Sequence, residues 1–145
     1  MSTLTPTPTL PIAGGCVCGA FRYECTEPPM EMLRCHCRDC QQVTGGPYAA
    51  AVLVPTGAFK ITRGTPKYHE LPSEAGGMHM RAFCAECGCR LLGAVKEGSP
   101  FIGILASSLD DPSIFKPSCD IFVCDAQPWD AMEPELPKFD KYPPM

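Results

Sequence analysis

Eight of the eleven cysteines lie in three tight groups, and this grouping constrains the fold more than any other feature. The groups are Gly14-Gly15-Cys16-Val17-Cys18-Gly19, Cys35-His36-Cys37-Arg38-Asp39-Cys40 and Phe83-Cys84-Ala85-Glu86-Cys87-Gly88-Cys89. Cysteines this dense either staple a secreted domain or bind metal. The count is odd, and residues 1–10 carry neither a basic residue nor the apolar run of a secretory signal. The expectation is therefore metal binding in a reducing, cytoplasmic setting, with zinc as the ion.

Zinc takes four tetrahedral ligands. Cys84-x-x-Cys87-Gly88 reads as a zinc knuckle, a tight turn that aims two sulfurs at one point and uses the glycine for positive φ. A second pair must complete that site. Cys16-x-Cys18, also beside glycine, is the natural candidate, because residues two apart in an extended segment point to one side. Cys35-x-Cys37-x-x-Cys40 is different. It packs three thiols into six residues with no evident fourth, which describes an open site. An open zinc position takes water or substrate and acts as a Lewis acid.

Other readings stand beside these. Cys84 and Cys87 could form a redox pair, which would call for a helix after the motif. The middle group could be closed by a further cysteine, with Cys89 and Cys124 the first choices. Otherwise Cys25, Cys89, Cys119 and Cys124 read as small buried hydrophobes. His36 lies between two ligands, and alternation turns its ring away from them. His69 and His79 read as ordinary strand residues.

The chain has 145 residues, the length of one domain. A net charge of −4 leaves little of the basic surface that nucleic acid or an anionic membrane requires. Seventeen prolines disfavour long helices. Short runs between turn residues predict antiparallel strands at 20–25, 48–54, 58–62, 67–71, 78–83, 90–95, 101–106 and 120–123. One helical turn is expected, at Arg38–Thr44. Residues 1–13 read as a flexible Thr- and Pro-rich lead-in and 14–129 as an all-β zinc-binding domain. Residues 130–145 read as an irregular Pro-rich tail, with Trp129 and Phe139 pinning this end of the chain.

The motifs also occur as an ordered set. Gly-Gly-Cys-x-Cys-Gly at 14–19 is followed by Arg22-Tyr23 and by Cys-His-Cys-x-x-Cys-Gln at 35–41. Thr44-Gly45, Pro47-Tyr48 and Phe-Cys-x-x-Cys-Gly at 83–88 follow in turn. This set resembles the glutathione-dependent formaldehyde-activating enzymes and the related domain of centromere protein V, over residues 14–129. The resemblance implies a zinc-stabilised β-tent of the mammalian suppressor of Sec four type. It implies two zinc ions per chain, a structural one on Cys16, Cys18, Cys84 and Cys87 and a catalytic one on Cys35, Cys37 and Cys40. It further implies a carbon–sulfur lyase, whose synthetic direction joins glutathione or a similar thiol to formaldehyde or another small aldehyde. The alternative is a non-catalytic zinc-binding interaction module, the use to which centromere protein V and Rab-associated relatives put the scaffold. Arg34 and Arg38 flank the middle group, where they could meet carboxylates of the thiol or simply face solvent. The expected partners are a small thiol and a small aldehyde, with neither nucleic acid nor membrane.

Overall fold

Segments of three to seven residues between turns pair as ten strands around one short helix. They are seen in a computed structural model that describes residues 9–73 and 76–144. Strands β1 (Ile12–Gly15), β2 (Arg22–Cys25) and β5 (Phe59–Arg63) form a small antiparallel sheet in the order β1-β2-β5. The remaining strands are β3 (Glu31–Cys35), β4 (Ala49–Pro55), β6 (Lys67–Pro72), β7 (Met78–Phe83), β8 (Arg90–Val95), β9 (Phe101–Leu105) and β10 (Cys119–Ile121). They form a second sheet in the order β10-β3-β4-β9-β8-β7-β6. Helix α1 spans Arg38–Thr44, as the sequence predicts, and ends at Gly45, whose φ of 76° is left-handed. Among the described residues, no helix is long and apolar enough to cross a membrane.

Both sheets contribute to one core. Alternation in β2 buries Tyr23 and Cys25, and Ile12, Val52, Val54, Leu91, Leu92 and Ile104 pack with them. Each such aliphatic side chain contributes about 1.5–3 kcal/mol when fully buried. Tyr23 is wholly buried, and its hydroxyl meets Ser108 Oγ at 2.6 Å.

The structure departs from expectation in three places. β1 begins at Ile12, inside the segment read as a lead-in, because Ile12 is buried in the core. Residues 1–8 of that segment lie outside the described residues. β3 is a strand that the run of turn-like and charged residues before Cys35 concealed. The second sheet is not wholly antiparallel, since β10 runs parallel to β3, with Asp120 beside Arg34. The parallel pair brings Asp120 close to the middle cysteine group, since Ile121 pairs with Cys35.

Candidate functional site

The first and third cysteine groups converge. β1 leads into Cys16 and Cys18, and the turn between β7 and β8 carries Cys84 and Cys87. Their four sulfurs all lie within 4.8 Å of one another. Cys16 and Cys18 Sγ are 3.5 Å apart, and Cys18 and Cys84 Sγ 3.7 Å. Four sulfurs about 2.3 Å from a tetrahedral ion stand about 3.8 Å apart, so the quartet has the dimensions of a metal cage. The backbone shapes each half of it. The Gly19 N–H donates to the Cys16 carbonyl at 3.1 Å, and the Gly88 N–H to the Cys84 carbonyl at 2.9 Å. Both glycines have left-handed φ, 79° and 75°, which a side chain would strain. The Phe21 and Glu86 N–H groups donate to the sulfurs of Cys16 and Cys84. Burial pushes Cys16 up, but the Phe21 N–H and the neighbouring thiols outweigh it and bring the thiol down to about 6.

The middle group gathers where β3 passes into α1. Cys35 ends the strand, Cys37 caps the helix, and Cys40 lies in its first turn. Cys37 Sγ accepts the Cys40 N–H at 3.1 Å and lies 2.7 Å from Cys40 Sγ. Cys40 packs against Ala49 of β4 and Leu105 of β9, so the group sits over the middle of the sheet. Among the described residues, this group brings together three potential ligands, against four in the other. The thiols share negative charge. Hydrogen bonds from Cys35 and Cys40 hold Cys37 far below the usual thiol range, and Cys37 in turn drives Cys35 up.

A buried ionic latch backs this group. His36 is wholly buried, with Nε2 2.8 Å from Asp120 Oδ1 and Nδ1 2.5 Å from Asp130 Oδ2. Asp120 also accepts from Arg34 Nε at 2.9 Å and from Lys138 Nζ at 2.9 Å. Burial pushes Asp120 up, but the hydrogen bonds from His36, Lys138 and Arg34 outweigh it and hold the carboxyl below the usual range. The latch fastens residues 130–138 to the strand that ends in Cys35. Phe139 adds apolar packing against Leu33, Cys119, Ile121 and Phe122. Trp129 does not pin this end of the chain as expected, since it is 66% exposed. Asp130, its neighbour, does so instead.

One further side chain faces the middle group from β7. Arg81 is buried, and its Nη2 donates to Cys40 Sγ at 3.6 Å. His79, two residues earlier, is half-buried, and burial, reinforced by the charge of Arg81, lowers its pKa. A cleft of about 330 Å³ opens beside α1, lined by Asp39, Gln42 and Val43 of α1, His69 and Leu71 of β6, Phe83 and Arg90.

The sequence-predicted sites thus come together as two groups, Cys16/Cys18/Cys84/Cys87 and Cys35/Cys37/Cys40, either of which could hold a metal ion. Cys25 and Cys119 are buried outside both groups, whereas Cys124 is exposed rather than buried. Arg34 is committed to Asp120 and Glu133, and exposed Arg38 donates to Gln41 Oε1. Arg81 was missed, because nothing in a local motif announces a partner 41 residues away.

The fold is similar to the crystal structure of a Rhodobacter sphaeroides protein solved as a structural-genomics target. The TM-score is 0.55 at 19% identity, over 68% of this chain and 88% of that one. No curated protein sequence matches. A family model described as glutathione-dependent formaldehyde-activating enzyme matches residues 11–125, a span that takes in every cysteine of both groups. On that match the chain belongs to the family of glutathione-dependent formaldehyde-activating enzymes.

Proposed function

We propose that the protein is a two-zinc enzyme that joins a small thiol, glutathione or one like it, to formaldehyde or another small aldehyde. In the reverse direction this is a carbon–sulfur lyase. The observation that carries the reading is the contrast in ligand number, four sulfurs in one group and three in the other. All-sulfur donor sets suit zinc, and the quartet's spacing fits tetrahedral coordination. In this reading Cys16, Cys18, Cys84 and Cys87 hold a structural ion, and Cys35, Cys37 and Cys40 hold a catalytic one with a position left for substrate.

Bound at the middle group, zinc supplies Lewis acidity and lowers the pKa of a thiol at its open position. The chain supplies the rest. The three cysteines fix where the thiol sits, and the latch through His36 and Asp120 holds the end of β3 against displacement. The cleft beside α1 gives room for the body of a substrate, with Asp39 and Arg90 offering opposite charges. Holding thiol and aldehyde together turns a bimolecular addition into a positioned one. The same reading takes residues 14–129 as a β-tent domain working in a reducing cytoplasm, where free thiols persist.

The uncatalysed addition is fast, so the test is an exchange rate at equilibrium. Two-dimensional exchange NMR on formaldehyde, a thiol and their hemithioacetal should show faster exchange with the parent and none beyond background with Cys37→Ser. If protein holding two zinc ions gives no enhancement with glutathione, 2-mercaptoethanol or cysteine, the interaction-module reading replaces this one.

A further inference from the structure

Arg81 is a charged side chain that the cysteine motifs do not predict, and its surroundings are unusual. Its residue is 6% exposed, so the guanidinium has been taken out of water. A buried charge is costly unless it is paired. The sulfur of Cys40, 3.6 Å from Nη2, is the one hydrogen-bond partner seen for it among the described residues.

The guanidinium still has donor capacity to spare. Among the described residues, two buried side-chain nitrogens lack a hydrogen-bond partner, and they are Arg81 Nε and His79 Nε2. They lie two residues apart on β7. The rigid fork of a guanidinium sends Nε–H and one Nη2–H bond from the same edge, side by side. Nη2 faces Cys40 Sγ, and the Nε–H bond on the adjoining edge has no partner among the described residues. Buried N–H donors are almost always satisfied, so an unsatisfied one on a guanidinium that already meets a cysteine of this group points to something that binds there.

Charge identifies what binds. Three thiolates around a divalent ion leave a formal charge of about −1, and a thiolate added as fourth ligand makes it about −2. A site half-enclosed by protein would resist that second negative charge without a nearby cation. We propose that Arg81 is the counter-charge and hydrogen-bond donor for an anionic thiolate seated beside Cys35, Cys37 and Cys40. Nη2 donates to Cys40 Sγ, and Nε–H donates to the incoming sulfur. The inference rests on the thiol–aldehyde reading above and adds to it the residue that makes the fourth position attractive to a thiolate.

Calorimetric titration of zinc-loaded protein with 2-mercaptoethanol and with glutathione tests this without recourse to turnover. A charge-assisted hydrogen bond lost at a buried site weakens binding about 10- to 100-fold. Arg81→Met should therefore bind both thiols that much more weakly, and Arg81→Lys, which keeps the charge and loses the fork, should fall between it and the parent. Loss of the middle zinc from Arg81→Met with retention in Arg81→Lys would also support the counter-charge. Should Arg81→Met prove insoluble, Arg81→Lys alone decides, and parent-like affinity in it overturns the role of Nε–H. The proposal is overturned if Arg81→Met binds both thiols like the parent, or if both variants shed the middle zinc alike. It is also overturned if only glutathione binding weakens, since Arg81 would then be holding a substrate carboxylate. A parent that binds neither thiol sinks the underlying reading itself, whatever the variants do.

Discussion

On the proposed reading, the two cysteine groups use the same ligand atom for different ends. The quartet joins a segment after β1 to the turn between β7 and β8, elements far apart in sequence. Its cysteines are two buried and two exposed, and its supporting hydrogen bonds come from the backbone. The middle trio lies within six residues and closes no long loop. It is braced instead by side chains from distant elements, Arg81 on β7 and, through His36, Asp120 and Asp130. A long-range, closed ligand set is a fastener. A local set that leaves out one ligand gains the fold little, and its surroundings are better explained by what it binds.

The difference should appear most strongly on mutation. Structural zinc contributes folding free energy directly, on the order of 10 kcal/mol in small zinc domains. Cys87→Ser should therefore yield insoluble or unfolded protein by circular dichroism. Cys37→Ser should fold, melt close to the parent, hold one zinc ion fewer and show no exchange activity. Parallel melts and metal analysis of the two variants check this, and equal, parent-like melting of both would erase the distinction.

A middle-sized effect is expected from the latch. Asp120→Asn strips Arg34, His36 and Lys138 of a shared buried carboxylate, and breaking a buried ion pair costs about 3–5 kcal/mol. Denaturant titration measures it. Since the folded carboxyl titrates below its unfolded value of about 3.9, its stabilisation is full above that pH and is lost as pH falls through the folded value. The parent's melting temperature should thus drop below about pH 4, and Asp120→Asn should flatten that part of the curve. A parallel acid limb in the variant would mean that other carboxylates govern it.

The smallest effect sharpens which cysteines count. Cys124 is exposed and belongs to neither group. Cys124→Ser should leave the zinc content unchanged and alter stability by no more than about 0.5 kcal/mol. A lost zinc would place Cys124 in the middle site after all.

What could be read from the sequence divides along the same line. Both groups are visible in the sequence because chemistry fixes their local spacing, and α1 follows from the turn that brings Cys40 back to Cys37. β1 was hidden because Ile12-Ala13-Gly14-Gly15 is short and half glycine, and its strand character comes from pairing with β2. The bracing of the trio was hidden for a stronger reason. Asp120 and Asp130 reach His36 across 84 and 94 residues; the parallel pairing of β10 with β3 places the first, and the segment that follows β10 brings in the second. His79 and Arg81 read as ordinary strand residues until α1 is placed over the sheet.

The central claim is that one metal site is closed by protein and the other is not. Zinc X-ray absorption on thiol-free protein carrying two zinc ions per chain measures this as the mean number of sulfur neighbours. Four sulfurs at one site and three at the other predict about 3.5 per zinc, with a lighter oxygen or nitrogen neighbour making up the difference. Saturating 2-mercaptoethanol should raise the value to about 4. A value of four before any thiol is added, or a protein that holds a single zinc ion, would contradict the account.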